Sequence, residues 1–173
     1  MLFLFPTSFE AEPFRRLCPD AEVVISGVGM AATAATLVSL CASRGLVDGE
    51  CVVLAGLAGA YTDAVAKGEV VEVVEERTIE LPERFRECYK NDAMTSLRAV
   101  RSNSVHRPVA DGEGADIENM EGAALFAVGA KLGLRCAEIR SISNFVGEQF
   151  PEWSVDLALN NLARELKNQF VDK

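Results

Sequence analysis

Two polar side chains in the second half of the chain stand where a small molecule could be bound. Glu121 comes at the start of a predicted helix of small residues, and Asn144 comes just past the strand that follows this helix. In an open α/β sheet, ligands bind beyond the carboxyl ends of the strands. The stretch 118–145 therefore predicts that a carboxylate and an amide lie near one pocket.

Two further carboxylates, Glu10 and Glu12, follow the first predicted strand, on a helix that Ser8 could cap. Acids in the first turns of a helix often do no more than complement the helix dipole. Carboxylates directly after a first strand are also placed to face a pocket. Both interpretations of these two residues remain open at this point.

The elements that would position these groups alternate along the chain. Strands are expected at 1–5, 21–26, 51–54, 67–80 and 135–143, and helices at 8–17, 30–44, 121–132 and 153–170. Residues 80–116 are less regular, with a possible short helix, a possible strand near 97–105 and a surface turn. This order predicts one domain over residues 1–173, a three-layer α/β fold with a mostly parallel mixed central sheet flanked by helices.

Glycines precede or interrupt two of these elements. The turn Gly27-Val28-Gly29 leads into the helix at 30–44, where free backbone N–H groups could bind an anion or a hydroxyl. The predicted strand 51–54 opens into a Gly/Ala loop at 55–61, where backbone could approach a ligand closely. The segment 27–32 also matches the dinucleotide fingerprint G-x-G-x-x-A, but the next strand ends in Ala-Gly without the ribose-binding acid. A nicotinamide enzyme is therefore a minor alternative.

The composition excludes several classes of partner. The chain has 173 residues and a net charge of −9, which argues against nucleic acid or an anionic membrane as a partner. Five scattered cysteines, no C-x-x-C motif and a single histidine predict no metal site and no cofactor, and reduced thiols fit a cytoplasmic protein. The N-terminal apolar run is too short for a signal peptide, and no apolar run reaches the roughly 18 residues of a membrane span.

Four features, taken in order, resemble the nucleoside phosphorylase and nucleosidase superfamily, whose members cleave the N-glycosidic bond of purine nucleosides. They are an early glutamate, SGVG before a small-residue helix, LAGLAGA, and MEGAA followed by IRSISN. The last pair is the most specific. Within the superfamily, IRSISNFV, Trp153 and LALNNL are most similar to futalosine hydrolase, and the methylthioadenosine/S-adenosylhomocysteine nucleosidase is the second candidate.

The resemblance implies a role for each candidate residue. Glu121 would hold the ribose hydroxyls, with Met120 packed beneath the sugar. Glu12, favoured over Glu10 by aligning SFEAEPF with the nucleosidase pattern, would activate the attacking water. Asn144 would face N7 and the 6-substituent of the purine. The implied substrate-binding residues are Gly27, Ala58, Gly59, Met120 and Phe145.

The identity of residue 144 predicts the base. Methylthioadenosine nucleosidases carry an aspartic acid there, which can donate a proton to N7 and accept from a 6-amino group. The amide of Asn144 has no acidic proton to deliver, but its NH₂ can donate to N7 and to a 6-oxo group. We therefore expect a 6-oxopurine nucleoside as substrate, and futalosine, which releases hypoxanthine on the route to menaquinone, as the implied one.

Two further expectations concern the nucleophile and the state of the site. Phosphorylases of this superfamily hold phosphate with arginine near the glycine loops, whereas the segments after Gly29 and at 55–60 carry no basic residue, so we expect water to attack. The chain is short for the superfamily around 80–116, a region that normally contributes base and partner-subunit contacts. A nucleoside-binding protein with a weakened site is the alternative. By resemblance alone we expect a homo-oligomer.

Overall fold

Strands and helices alternate through most of the chain, as the sequence predicts. The computed structural model describes residues 1–46 and 49–172. The helices are α1 (Ser8–Leu17), α2 (Met30–Arg44), α3 (Gly122–Leu132) and α4 (Val155–Leu166), which a π-helical turn (Lys167–Val171) continues. The strands are β1 (Leu2–Phe5), β2 (Val23–Ile25), β3 (Cys51–Ala60), β4 (Val70–Thr78), β5 (Cys88–Lys90), β6 (Arg98–Ser104), β7 (Ile117–Asn119) and β8 (Arg135–Phe145).

The alternating side chains of β1 show how the layers are arranged. Leu2 and Leu4 pack in an apolar cluster with buried residues of α2 and α3. Phe3 and Phe5 point to the opposite face and pack in a second cluster with buried residues of α1 and α4. Successive side chains of a strand face opposite sides of its sheet, so one sheet lies between two layers of helices. The predicted three-layer α/β fold is confirmed.

Five of the strands form a closed ring. β8 pairs with both β3 and β4, and β3, β7, β6 and β4 follow one another, so these five strands form a ring. β1 and β2 extend the sheet from β3, and β5 extends it from β4. Most pairings are parallel; among the described residues the antiparallel ones are β3–β7, β4–β5 and β4–β8. This agrees with the expected mostly parallel, mixed sheet.

Several predicted boundaries are wrong, and each has a local cause. β3 continues to Ala60, so the expected Gly/Ala loop is strand, because hydrogen bonds to β8 hold these small residues in the sheet. β8 continues to Phe145, so Asn144 lies within the strand. In the irregular region the chain forms a 3₁₀ turn at Glu83–Phe85 and the short strand β5 rather than a helix. Thr7, not Ser8, caps α1.

The described residues contain no helix that combines the length and the apolar character needed to cross a membrane. All five cysteines are free thiols, and Cys18 and Cys136 are buried. Burial raises the pKa of the Cys136 thiol to about 12, which makes this side chain an inert apolar group at neutral pH.

A close contact between α3 and β8 yields a test of this packing. A Cβ atom added at Gly129 would overlap the sulfur of Cys136. Overpacking a filled core costs about 1–3 kcal/mol, more than the roughly 1 kcal/mol that alanine adds to a helix interior. Gly129→Ala should therefore lower the free energy of unfolding in urea denaturation, by about 2 kcal/mol at most.

Two further variants control this experiment. Lys131→Ala, on the exposed side of the same helix, should stay within about 0.5 kcal/mol of the parent. Adding Cys136→Ala to Gly129→Ala removes the sulfur and leaves the Cβ of residue 136 at 3.8 Å from the new methyl group. The double variant should therefore recover stability relative to what the two single changes predict. Additive losses would contradict the contact.

Candidate active site

A cavity of about 780 Å³ opens near the carboxyl ends of β1, β3 and β8, which run parallel. This is the edge at which α/β folds bind their ligands. The start of α3, the turn before α2 and two loops complete the walls. The acidic and amide residues that line the cavity are Glu10, Glu118, Asn119, Glu121, Asn144, Glu148 and Gln149. Its apolar lining includes Phe9, Val28, Leu57, Met120, Phe150 and Trp153.

Glu121 lies at the N-cap of α3 and is buried. Its Oε1 accepts a hydrogen bond of 2.8 Å from the backbone N–H of Gly29, which precedes α2. The carboxylate therefore lies at the N-termini of two helices, where a negative charge is stabilised. Each oxygen keeps an unused lone pair, so Glu121 can still accept hydrogen bonds from a ligand's hydroxyl groups.

Arg140, on β8, is the main residue that the sequence reasoning missed. It is fully buried, and its Nη2 donates to Oε2 of Glu121 at 3.2 Å and to Oδ1 of Asn119 at 2.9 Å. Its Nε donates to Glu138 at 2.8 Å. Burial alone would lower the pKa of Arg140, but the carboxylates of Glu138 and Glu121 raise it, so the guanidinium remains charged.

The structure brings Glu10, rather than Glu12, into the cavity. Oε1 of Glu10 accepts from the backbone N–H of Leu57 at 3.0 Å, and Oε2 accepts from the hydroxyl of Thr7 at 2.7 Å. The side chain of Glu12 is half exposed and pairs with Arg16 at 2.7 Å. Two positions along a helix differ by about 200° around its axis, which explains why only one of the two acids faces inward. The placement expected for Glu12 is corrected to Glu10.

Glu10 also lies near the guanidinium of Arg140. A Cβ atom placed on Gly56 would be 2.8 Å from Nη1 of Arg140 and 3.0 Å from Oε1 of Glu10, so both groups approach the same point of β3. Only a glycine leaves room for them there. Arg140 is therefore surrounded by three carboxylates, those of Glu138, Glu121 and Glu10.

Asn144 lines the cavity from β8, as expected. Its Oδ1 accepts from the hydroxyl of Ser143 at 2.7 Å, and its Nδ2 donates to the carbonyl of Phe145 at 3.1 Å. A flipped amide would set two acceptor oxygens against each other at Phe145, so these contacts fix its orientation. One of the two amide N–H groups is committed to Phe145, which leaves the other for a ligand.

The remaining predicted residues divide into two groups. Ala58, Gly59 and Met120 line the cavity. Gly27 is not among the lining residues, because its neighbour Val28 presents its side chain there instead. Phe145 also lies outside the cavity: strand alternation turns its ring to the other face of β8, against the core and under the ammonium group of Lys67. The expected positions of Gly27 and Phe145 are thus corrected.

Two loops form the rim of the cavity. One carries Val105 to Pro108, so the irregular region 80–116 does contribute to the site. Within it, the ring of His106 contacts Glu80 at 2.9 Å. Burial would raise the pKa of Glu80, but the backbone N–H and the ring of His106 together lower it. The other loop runs from Val146 to Phe150 and adds Glu148, which pairs with Lys67 at 2.7 Å.

Glu118 is a further carboxylate on the cavity wall. Its Oε2 accepts from the hydroxyl of Tyr61 at 2.9 Å and from the backbone N–H of Val109 at 3.1 Å. Burial raises the pKa of Glu118, although these two donors partly oppose the shift. Asn103 in turn donates to the Tyr61 oxygen at 3.2 Å and holds the ring in place.

The arrangement suits a ligand with a flat apolar part and vicinal hydroxyls. The apolar walls accept a ring system, Glu121 accepts hydroxyl protons, and the free N–H of Asn144 can donate to a ring nitrogen or carbonyl. Glu10, beside a guanidinium, is positioned to take a proton from a water molecule.

A protein-family model described as the phosphorylase superfamily matches residues 94–169. This segment includes Met120, Glu121, Arg140 and Asn144. The comparison with curated proteins found no match. This family is the superfamily that the sequence resembles, and the match covers fewer than half of the 173 residues.

Solved nucleosidase structures share the fold over nearly the whole chain. A 5′-methylthioadenosine/S-adenosylhomocysteine nucleosidase from Helicobacter pylori, bound to butyl-thio-DADMe-Immucillin-A, has a TM-score of 0.80 and 16% identity, covering 96% of this chain and 95% of its own. A futalosine hydrolase mutant of the same organism has a TM-score of 0.80 and 16% identity, covering 96% of each chain. A putative nucleosidase of the first type from Francisella philomiragia has a TM-score of 0.81 and 14% identity, covering 99% and 98%.

The hydrogen bond between Tyr61 and Glu118 gives a test of the cavity wall. Tyr61→Phe removes a donor that lowers the pKa of Glu118 and leaves the desolvation that raises it. The pKa of Glu118, followed by carbon NMR of its carboxyl group, should therefore rise further above the ordinary value. Tyr89→Phe, the change at the other tyrosine of the chain, is the control and should leave Glu118 unaffected. A pKa that falls or stays constant in Tyr61→Phe would contradict the contact.

Proposed function

We propose that this chain, whose residues 94–169 match the phosphorylase superfamily, is a purine nucleosidase that hydrolyses the N-glycosidic bond of a 6-oxopurine nucleoside. The observation that supports this most is the grouping of Glu10 and Glu121 around Arg140, in a cavity that Asn144 also lines. The three side chains supply what such a reaction needs: a base for water, an acceptor for the ribose hydroxyls and a donor to the departing purine.

Glu10 is the base in this proposal. Its two oxygens are held by Leu57 and Thr7 and retain free lone pairs toward the cavity. As the ribosyl C–N bond breaks, the sugar develops positive charge and the purine takes the bonding electrons. Water attacks the anomeric carbon, Glu10 takes its proton, and a C–O bond replaces the C–N bond.

Glu121 acts on the sugar. A carboxylate that accepts two hydroxyl protons orients the ribose and stabilises the positive charge that develops on it. Met120 presents a half-exposed apolar side chain next to it, suited to one face of the sugar. Asn144 donates its free N–H to N7 or to the 6-oxo group and so stabilises the purine as it leaves.

Water is the proposed nucleophile rather than phosphate. Arg140 is the cation near Glu10, but its Nε and Nη2 already serve Glu138, Glu121 and Asn119. The charge is thereby compensated, and a phosphate dianion beside Glu10 and Glu121 would be repelled. Reaction in phosphate-free buffer should yield the free sugar, whereas a requirement for phosphate would contradict this part of the proposal.

Futalosine is the proposed substrate within this class, giving hypoxanthine and dehypoxanthine futalosine in menaquinone biosynthesis, in a cytoplasmic homo-oligomer. This choice of substrate rests on Asn144 and on the similarity of the segment 139–162 to futalosine hydrolase. The alternatives are a methylthioadenosine/S-adenosylhomocysteine nucleosidase and a nucleoside-binding relative without turnover. Incubation with futalosine, inosine and methylthioadenosine, with the free base quantified by chromatography, separates the three. Binding without release of any base would favour the last.

The two acids of α1 make matched variants. Glu10→Gln removes the base while keeping the size of the side chain and an oxygen that can accept from Leu57, so kcat should fall by at least about 100-fold. Glu12→Gln changes an exposed ion pair and should leave kcat within about twofold of the parent. Thermal unfolding checks that both variants are folded. If Glu12→Gln lost activity and Glu10→Gln kept it, Glu12 would be the base, as the sequence favoured.

The base preference can be tested at position 144. Asn144→Asp provides a group that can be protonated, donate to N7 and accept from a 6-amino group, so the ratio of adenine to hypoxanthine release should rise. Ser143→Ala is the control: it removes the hydroxyl bonded to Oδ1 but keeps the amide, so the preference should stay with hypoxanthine even if the rate falls. The proposed preference for a 6-oxopurine would be contradicted by a parent protein that prefers adenine nucleosides. An unchanged ratio of adenine to hypoxanthine release in Asn144→Asp would contradict it as well.

A further inference from the structure

A second pair of carboxyl groups lies behind the cavity, away from its lining. Glu76 on β4 and Glu138 on β8 are both 0% exposed. The two groups are close to each other: a Cβ atom placed on Gly122 would be 2.5 Å from Oε2 of Glu76 and 2.6 Å from Oε1 of Glu138. Neither residue has a role in the proposed reaction so far.

One oxygen of each carboxyl group has a partner and the other has none. Oε2 of Glu76 accepts from the amide of Asn119 at 2.8 Å, and Oε1 of Glu138 accepts from Nε of Arg140 at 2.8 Å. The two remaining oxygens, Oε1 of Glu76 and Oε2 of Glu138, are buried without a hydrogen-bond partner among the described residues. A buried polar atom without a partner is costly, so both oxygens require an explanation.

A single proton between the two carboxyl groups gives both oxygens a hydrogen-bond partner. Two neighbouring buried carboxylates cannot both stay charged, and such pairs hold one proton between them. If Oε1 of Glu76 carries the proton and donates it to Oε2 of Glu138, each unpartnered oxygen gains a hydrogen bond. The opposite assignment is less favourable, because Glu138 is the group in direct contact with the guanidinium of Arg140.

The charges around the pair agree with this assignment. Burial, and then the neighbouring charge of Glu138, raise the pKa of Glu76 well above its ordinary value. Burial also raises the pKa of Glu138, but Arg140 opposes that shift. Other titratable groups near the pair are Glu121 at the start of α3 and Tyr61 after β3.

We propose that Glu76 is a neutral acid that donates a hydrogen bond to ionised Glu138, and that Glu138 is thereby the positioning residue that fixes Arg140 between Glu121 and Glu10. The catalytic meaning of this inference rests on the proposed nucleosidase function. The proton of Glu76 keeps Glu138 from being repelled by a second negative charge. Glu138 then holds Nε of Arg140, which directs Nη2 to Glu121 and Nη1 to the side of Glu10.

The two glutamates should respond differently to the same conservative change. Glu76→Gln imitates the neutral acid, since its oxygen can accept from Asn119 and its NH₂ can donate to Glu138. The variant should keep kcat/KM within about threefold of the parent. Glu138→Gln removes the charge that contacts Arg140, and kcat/KM should fall by about 10- to 100-fold, the range found when a group that orients a metal ligand is lost. Equal losses in the two variants, or a neutral Glu138→Gln, would overturn the proposal.

The pH dependence of stability gives a second readout that needs no substrate. The parent keeps the proton of Glu76 in the folded state, while the unfolded chain releases it above the ordinary glutamate pKa. The proton of Glu76 therefore makes its full contribution to the free energy of unfolding at a pH below the ordinary glutamate pKa. That contribution is lost as the pH rises toward the raised pKa of Glu76 in the folded state. Glu76→Gln has no proton to lose, so its Tm relative to the parent should rise as the pH increases above the ordinary glutamate pKa. A constant or falling difference, or a variant that does not fold, would overturn the assignment.

Glu72 provides the matched control, because it is also fully buried on β4. Its oxygens accept from Met94 N–H at 2.7 Å, Thr95 N–H at 2.9 Å and the Thr95 hydroxyl at 2.6 Å. Glu72→Gln would turn an NH₂ group toward donors and should lower the Tm. A loss in Glu72→Gln without a loss in Glu76→Gln shows that Glu76 is the neutral one. If no nucleoside is hydrolysed, the proposed function fails while the Tm comparison still decides the protonation of Glu76.

Discussion

The buried guanidinium of Arg140 is the constraint on which the rest of the site depends. A charge without solvent contact is tolerated only when it is paired and its hydrogen-bonding groups are used. Arg140 meets this condition through Glu138, Glu121 and Asn119. Removing any of these partners leaves a buried donor of the guanidinium without its acceptor, so the site and the stability of this region are linked. The acids that face the cavity are held in place as a consequence.

The fold supplies these partners from different directions. β8 carries Glu138 and Arg140 on one face, β7 carries Asn119, and Glu121 begins α3. Asn119 uses every group of its amide: its oxygen accepts from the backbone N–H of Glu121 and of Gly122, and its nitrogen donates to Glu76. One side chain thus caps a helix, contacts the guanidinium and reaches the acid pair. The ring of five strands keeps these contributors at fixed separations.

Much of the fold could be predicted from the sequence, and the reasons differ by element. The small-residue helices α2 and α3 carry their own end signals, with glycines in the left-handed conformation at Gly45 and Gly133. The extent of β3 could not be predicted, because Gly and Ala have low strand propensity and only pairing with β8 keeps them extended. The short β7 depends on the closure of the ring, which is a long-range property.

The site was predicted in part. The errors concern the side of a helix or strand on which a side chain lies. Glu121 and Asn144 were found from their positions after a strand and before a helix. Glu12 and Phe145 were each chosen on the wrong side of an element. One signal could have helped: Thr7 and Glu10 have the three-residue spacing of a helix cap. Alternation along β8 from Arg140 is no guide at Asn144 and Phe145, because the pairing with β3 shifts register between Ala58 and Gly59. The burial of Arg140 has little local signal, since besides Glu138 on its own strand it depends on Glu121 and Glu10 from two other segments.

Gly122 has a consequence for how this protein can change over evolutionary time. Any side chain at this position would meet the carboxyl groups of Glu76 and Glu138. Positions 76, 122 and 138 therefore depend on one another: a larger residue at 122 becomes acceptable only after shorter ones appear at both 76 and 138, and the loss of Glu138 removes support from Arg140. A lineage that abandoned the reaction would be released from this restriction, so the loss of glycine at 122 would be an early genetic mark of a decaying site.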